Sequence, residues 1–173
     1  MDNINTVEGE KMKIELYDAQ TSADIDLFWE VRDNYNREDI VPNCEEPMTK
    51  EEIAWFYSKA YKDHIMKLYR RPVDKLNIVF FEIEQVKIGF SVYVTYHSED
   101  GKCFIVDFCI FSGYRNKGYG KECFNLIQDR EVQNGAAYFA LNLSNENNRR
   151  FWTSIGFKKT VPDEYGNDIY VLK

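Results

Sequence analysis

Between residues 76 and 111 the sequence holds three β-like runs in succession, 76–83, 86–96 and 102–111, and then changes period with no linker. The runs are rich in Val, Ile, Phe and Tyr. Only Glu84-Gln85 separates the first two, and the tight-turn pair Asp100-Gly101 precedes the third, so the strands pair through hairpins. At Ser112-Gly113 the β pattern stops. RNKGYG follows, and helical spacing then runs from about 118 to 132, ending near Asn134-Gly135, where left-handed geometry is tolerated. Most of what the chain can fold into depends on this handover from hairpins to a helix through a turn carrying Arg115, Lys117, Gly118 and Gly120.

The rest of the chain fits around that feature. KIELYDA, 13–19, alternates as a first strand, and Thr21 or Ser22 caps a helix to about Asn34 with Ile25, Phe28, Trp29 and Arg32 near helical spacing. Pro42 and Pro47 mark 36–48 as a loop. Thr49 with Glu52 forms a capping box. It opens one long helix whose apolar face runs Ile53, Phe56, Tyr57, Ala60, Tyr61, His64, Ile65 and Leu68, with His64 read as a packed histidine. Downstream, 137–143 reads as a strand, 147–155 as a short helix, and 157–161 and 169–172 as closing strands. The order β-α-α-β-β-β-α-β-α-β-β predicts a single α/β (α+β) domain over 11–173, preceded by a flexible N-terminus, 1–10.

Composition excludes several function classes. The net charge of −7 argues against a nucleic-acid partner, which needs a basic face. No apolar run approaches the roughly 20 residues of a membrane span, and the polar start MDNINTVEGE resembles neither a signal nor a transit peptide. Cys44, Cys103, Cys109 and Cys123 lack metal-ligand spacing and read as reduced thiols of a cytoplasmic protein, with no metal required. The acids are unevenly placed. From Asp24 to Glu52 there are ten of them against Arg32, Arg37 and Lys50, either solvated helix faces or an entrance that attracts cations.

A helix start carries unpaired N–H groups and a partial positive charge, glycines let an anion approach, and flanking cations add to the attraction. RNKGYG in that setting reads as a pyrophosphate cradle. A Rossmann fingerprint fails because G-x-G-x-x-G is absent and the preceding strands are hairpin-linked; a P-loop fails because no Gly-Lys precedes Ser or Thr.

These residues resemble the R/Q-x-x-G-x-G/A signature of the GNAT superfamily of acetyl-CoA-dependent N-acetyltransferases. Ile110, five residues before Arg115, stands where the family ends its fourth strand on an aliphatic residue. LNLSNENNRRFWTSIGF resembles the family's second motif, with Asn145, Trp152, Gly156 and Phe157 in register. The resemblance implies a mixed, mostly antiparallel sheet splayed between the fourth and fifth strands and flanked by about four helices. It implies acetyl-CoA as acetyl donor, with Cys109 and Ile110 pairing with the pantetheine arm and the amides of Arg115, Asn116, Lys117, Gly118, Tyr119, Gly120 and Lys121 holding the pyrophosphate. Asn145 and Asn148 would bond the donor, and Trp152 would lie beside the thioester. The implied reaction is direct attack by a primary amine in a ternary complex; dimers are common in the family.

The chain departs from the pattern at Trp152, where many members carry a Tyr that protonates the departing thiolate. Indole has no usable acidic proton. Another group therefore supplies the acid, or thiolate leaves unprotonated, or the domain is a catalytically silent acetyl-CoA binder acting as sensor or partner module. Asp107, in the apolar run FIVDFCIF, is the candidate base, with burial expected to raise its pKa; the alternatives are a carboxylate bonded to backbone or turned to solvent. Tyr96, Tyr138 and Tyr170 are further candidates for a proton relay, which the sequence does not rank. The acidic segment, with Trp29, Asp33 and Tyr35, points to a small cationic amine or a lysine-type side chain as acceptor.

Overall fold

The computed structural model describes residues 12–143 and 145–173, so the N-terminal segment expected to be flexible lies outside the described residues. The strands are β1 Ile14–Asp18, β2 Leu76–Ile83, β3 Val86–Thr95, β4 Lys102–Ile110, β5 Tyr138–Asn142, β6 Lys158–Lys159 and β7 Ile169–Leu172. They form one sheet in the order β1-β2-β3-β4-β5-β7-β6, antiparallel throughout except for the parallel β4–β5 pair. The helices are α1 Ser22–Tyr35, α2 Val41–Asn43, α3 Lys50–Phe56, α4 Lys59–Tyr69, α5 Tyr119–Gln133 and α6 Glu146–Ile155, with a π-helical turn, Asn36–Ile40, joining α1 to α2.

Helices cover both faces of the sheet. Val79, Phe81, Ile88, Phe124, Trp152 and Phe157 share one core on the α5 and α6 side. Phe28, Ile65, Ile78, Phe80, Phe90 and Val92 form the other on the α1 and α4 side. Burial on two faces explains why β2 and β3 read as almost unbroken apolar runs rather than as alternation.

Four expectations are corrected. The long helix from Thr49 is two helices: Ser58 Oγ accepts from the Tyr61 amide at 3.0 Å and donates to the Trp55 carbonyl at 2.8 Å, so a capping serine ends α3 and begins α4. Of its expected apolar face only Ile65 is buried, and His64 is exposed rather than packed. The segment read as loop contains the π-helical turn and α2, and the strand expected over 157–161 shortens to two residues.

Two irregularities in β4 position the site. Val92 of β3 faces Asp107 while Tyr93 faces Ile105, leaving Val106 as a bulge. Pairing between β4 and β5 runs only from Lys102↔Tyr138 to Ile105↔Leu141, so residues 106–110 have no β5 partner and the sheet splays there. Gly89 of β3 sits against the far side of that stretch, where a Cβ would stand 2.3 Å from the Cys109 carbonyl oxygen. Only glycine permits so close an approach.

Candidate active site

A groove of about 690 Å³ opens at the splay. Phe108, Cys109 and Ile110 of β4 form one wall, and Asn145, Asn148 and Phe151 of α6 another. Arg115, Asn116, Gly118, Gly120 and Lys121 close one end, with Tyr35, Asp39 and Asn43 from the end of α1 and the turns after it lining the rest.

The start of α5 is chemically unusual in this molecule. Side chains of Thr21, Thr49, Ser58 and Asn145 cap α1, α3, α4 and α6, whereas the N-cap of α5 is Gly118, with φ +84° and no side-chain cap. Asn116 is also left-handed, at φ +60°. A Cβ on Gly118 would meet nothing within 4 Å, so the approach to the first α5 amides is open. Unpaired amides, a positive helix end and open space fit a phosphate group. Gly120 serves a different need: a Cβ there would lie 2.9 Å from the Phe151 ring, so its absence lets α5 and α6 pack closely.

The signature's cations are already engaged. Arg115 donates to Asp39 through both terminal nitrogens at 2.9 and 2.7 Å and through Nε to the Ile110 carbonyl at 2.6 Å. The bond to Asp39 raises the Arg115 pKa further. Lys117 Nζ donates to the Gly113 carbonyl at 3.0 Å and, like Tyr119, which packs toward Tyr114 and the core, lies outside the groove lining. Arg115 thus lines the groove already paired, and at this turn the open backbone amides and Lys121 are left to meet an anion.

On α6, Asn145 Oδ1 accepts from the Asn148 amide at 2.9 Å, so the asparagine expected to bond the donor also caps the helix. Trp152, expected beside the thioester, does not line the groove. It is 5% exposed and packed among Phe108, Phe124, Phe151 and Phe157, with ring centroids 5.0 to 5.3 Å away. Phe151, its neighbour, faces the groove.

Asp107 lies on the α1 side of β4, its side chain 14% exposed, and it is not the isolated carboxylate the sequence suggests. Arg32 Nε donates to Asp107 Oδ2 at 3.1 Å, while Arg32 NH2 donates to the Tyr61 hydroxyl at 2.7 Å. Asp107 Oδ1 accepts no hydrogen bond among the described residues. Of the three residues expected at the acceptor side, only Tyr35 lines the groove. Asp33 pairs with Lys62 at 2.8 Å, and the Trp29 ring carries the protein's own Lys62 and Arg32 at 5.1 and 5.8 Å. Tyr96, Tyr138 and Tyr170 do not reach the groove lining; the last two hydroxyls are bonded to Asp100 and Arg149. Burial pushes the thiols of Cys103, Cys109 and Cys123 up to about 12, which makes them packing groups rather than nucleophiles.

Sequence reasoning missed Asp39, Asn43 and Phe151 as lining residues and Arg32 as the partner of Asp107. Phe151 was within reach, one position from Trp152 on an amphipathic helix. Asp39 and Arg32 meet partners 76 and 75 residues away, and no local pattern announces such pairs.

The sequence profile of the Acetyltransferase (GNAT) family matches residues 28–157, which span both the α5 turn and α6. The chain belongs to this family. As a GNAT acetyltransferase it is an acyl-transferring enzyme, and solved structures share its fold. PaiA N-acetyltransferase from Thermoplasma acidophilum, in complex with coenzyme A, is 18% identical over 94% of this chain and 99% of that one, with TM-score 0.66. YycN from Bacillus subtilis is 17% identical over 86% and 94%, with TM-score 0.71. An acetyltransferase from Thermus thermophilus is 15% identical over 93% and 97%, with TM-score 0.63. No curated protein matches the chain. Among the described residues, no helix of this GNAT chain is long and apolar enough to cross a membrane.

Proposed function

We propose that this GNAT enzyme moves an acetyl group from acetyl-CoA to a primary amine by direct attack in a ternary complex. The observation that carries this reading is the uncapped start of α5, opening onto a groove that continues along the unpaired stretch of β4. Family membership supports it, as does the coenzyme A complex of a protein with the same fold.

In this reading the amides following Gly118 receive the pyrophosphate. Cys109 and Ile110 offer the splayed edge of β4 to the pantetheine arm, and Asn145 and Asn148 line the opposite wall. An amine with a reference pKa near 10.4 must lose a proton before it attacks. Asp107 Oδ1 can accept it, directly or through water, while Arg32 fixes the other carboxylate oxygen.

The acceptor proposed is a small cationic amine or a lysine-type side chain. Asp24, Asp33, Asp39, Glu45 and Glu52 are engaged in caps or ion pairs. Asp26, Glu30, Glu38, Glu46 and Glu51 remain exposed on the same segment and can draw a cation toward it.

Calorimetry with acetyl-CoA, followed by free-thiol release with a panel of amines, tests the reading. Binding and amine-dependent release are expected, with efficiency toward a polycationic acceptor falling as ionic strength rises to physiological levels. Asp107→Asn is expected to retain donor affinity and lose about 100-fold in turnover. Binding without release toward any amine would favour the silent-sensor alternative, and no binding at all removes the assignment.

A further inference from the structure

With Trp152 an indole packed in the core, its position on α6 offers the departing sulfur no acid. We propose that Tyr35, at the end of α1, is the proton donor to that sulfur. The inference rests on acetyl-CoA occupying the groove as proposed above.

Tyr35 lines the groove together with Cys109 and Ile110, the stretch of β4 offered to the pantetheine arm. Its ring is held edge-on against Phe90, with centroids 5.8 Å apart and planes at 86°. Its hydroxyl makes no hydrogen bond among the described residues, whereas those of Tyr61, Tyr69, Tyr93, Tyr138 and Tyr170 are all bonded. The residue is half-buried and its hydroxyl is free to donate to a ligand in the groove. Tyr114 also reaches the groove, but it belongs to the turn before α5, at the phosphate end. Tyr35 is thus the groove-lining phenol contributed by α1, on the same side of β4 as Asp107 and Cys109.

The groups facing Tyr35 are Asp107 and Cys109 of β4, Asp39 of the π-helical turn, and Arg115. Burial first, then Asp107, Cys109 and Asp39, push the phenol well above its ordinary value, with Arg115 opposing. The donor therefore stays loaded at neutral and mildly alkaline pH.

The step balances as follows. The amine lone pair attacks the thioester carbon and the C–N bond forms. The C–S bond then breaks, and its electron pair goes to sulfur. The Tyr35 proton passes to sulfur to give the thiol, and the proton shed by nitrogen, carried by Asp107 or water, returns to the phenolate. Because the phenol is a weak acid, it first donates a hydrogen bond to the charge developing on sulfur, and transfer is completed as the phenolate is reprotonated.

The test is the ultraviolet titration of the thiol of bound coenzyme A in wild type and in Tyr35→Phe, alongside turnover and acetyl-CoA calorimetry. A hydrogen bond to thiolate should place the bound thiol about one pH unit lower in the wild type than in the variant. Turnover of the variant should fall about 10- to 100-fold, with acetyl-CoA affinity unchanged within about twofold. Identical thiol titrations in the two proteins would overturn the proposal whatever happens to turnover. If Tyr35→Phe fails to fold, the wild type alone decides: a bound thiol titrating at or above free coenzyme A overturns it. Absence of acetyl-CoA binding to the wild type instead overturns the reading of the groove, and the role of Tyr35 with it.

Discussion

The two helices that flank the groove begin in opposite ways. At the start of α6, Asn145 turns its carboxamide oxygen back onto the Asn148 amide at 2.9 Å, the ordinary solution to a helix end. At the start of α5 the corresponding position is Gly118, left-handed and with no side chain to do the same. Both helices pack onto the same core, through Phe124 and Trp152. The difference therefore does not come from how buried the helices are. One helix start is closed by its own sequence, and the other is left open to be closed from outside. In the function proposed above, the contrast separates two jobs: Asn145 holds a joint, and the 115–121 turn makes a binding surface.

That contrast can be broken at Gly118. Gly118→Val puts a β-branched residue at φ +84° and a side chain into the space above the open amides. We expect acetyl-CoA affinity to fall by more than about 100-fold in calorimetry; full affinity would mean that the amides are not the binding surface. Gly120→Ala sharpens the picture from the packing side. Its methyl would press on the Phe151 ring from 2.9 Å, an overpacking worth about 1 to 3 kcal/mol. A melting temperature lower by several degrees is expected, with a smaller loss of affinity than at Gly118. The smallest effect belongs to Asn145→Ala. Loss of the cap costs about 1 kcal/mol, or roughly 2 to 4 °C, with acetyl-CoA affinity changed less than about twofold and the loss recovered in Asn145→Asp. If Asn145→Ala instead lost binding at unchanged melting temperature, the two helix starts would share one role.

The legible parts of the fold and site were those written in short stretches. RNKGYG could be read because glycines and cations act within a few residues of where they stand, and the hairpins because Glu84-Gln85 and Asp100-Gly101 mark their turns locally. The Asn145 position was legible, but its use as a cap was not separated from a ligand role. That Trp152 packs in the core was not legible, because a motif position does not state which way a helix face turns; only the packing against Phe108, Phe124 and Phe157 decides that. Arg115 was expected to face an anion and instead holds Asp39, a pair formed by chain folding across 76 residues. The division of the long helix at Ser58 was hidden for another reason: the apolar spacing continued across the break while a serine hydroxyl competed for the backbone.

The bulge at Val106 acts as a parity switch. In a regular strand, odd and even positions face opposite sides, and Cys103 and Ile105 of β4 point to the α5 and α6 core while Phe104 points to α1. One unpaired residue inverts the count. After it, Phe108 and Ile110 belong to the α5 and α6 side, and Asp107 and Cys109 to the side of Arg32 and Tyr35. Were Val106 instead taken into the regular ladder, Asp107 would point into an aromatic core and Phe108 toward the buried guanidinium. The chemistry of this sheet thus depends on a count of one: deleting Val106 is expected to straighten the strand and keep Asp107 and Phe108 on their present faces, because Val106 alone stands outside the alternation.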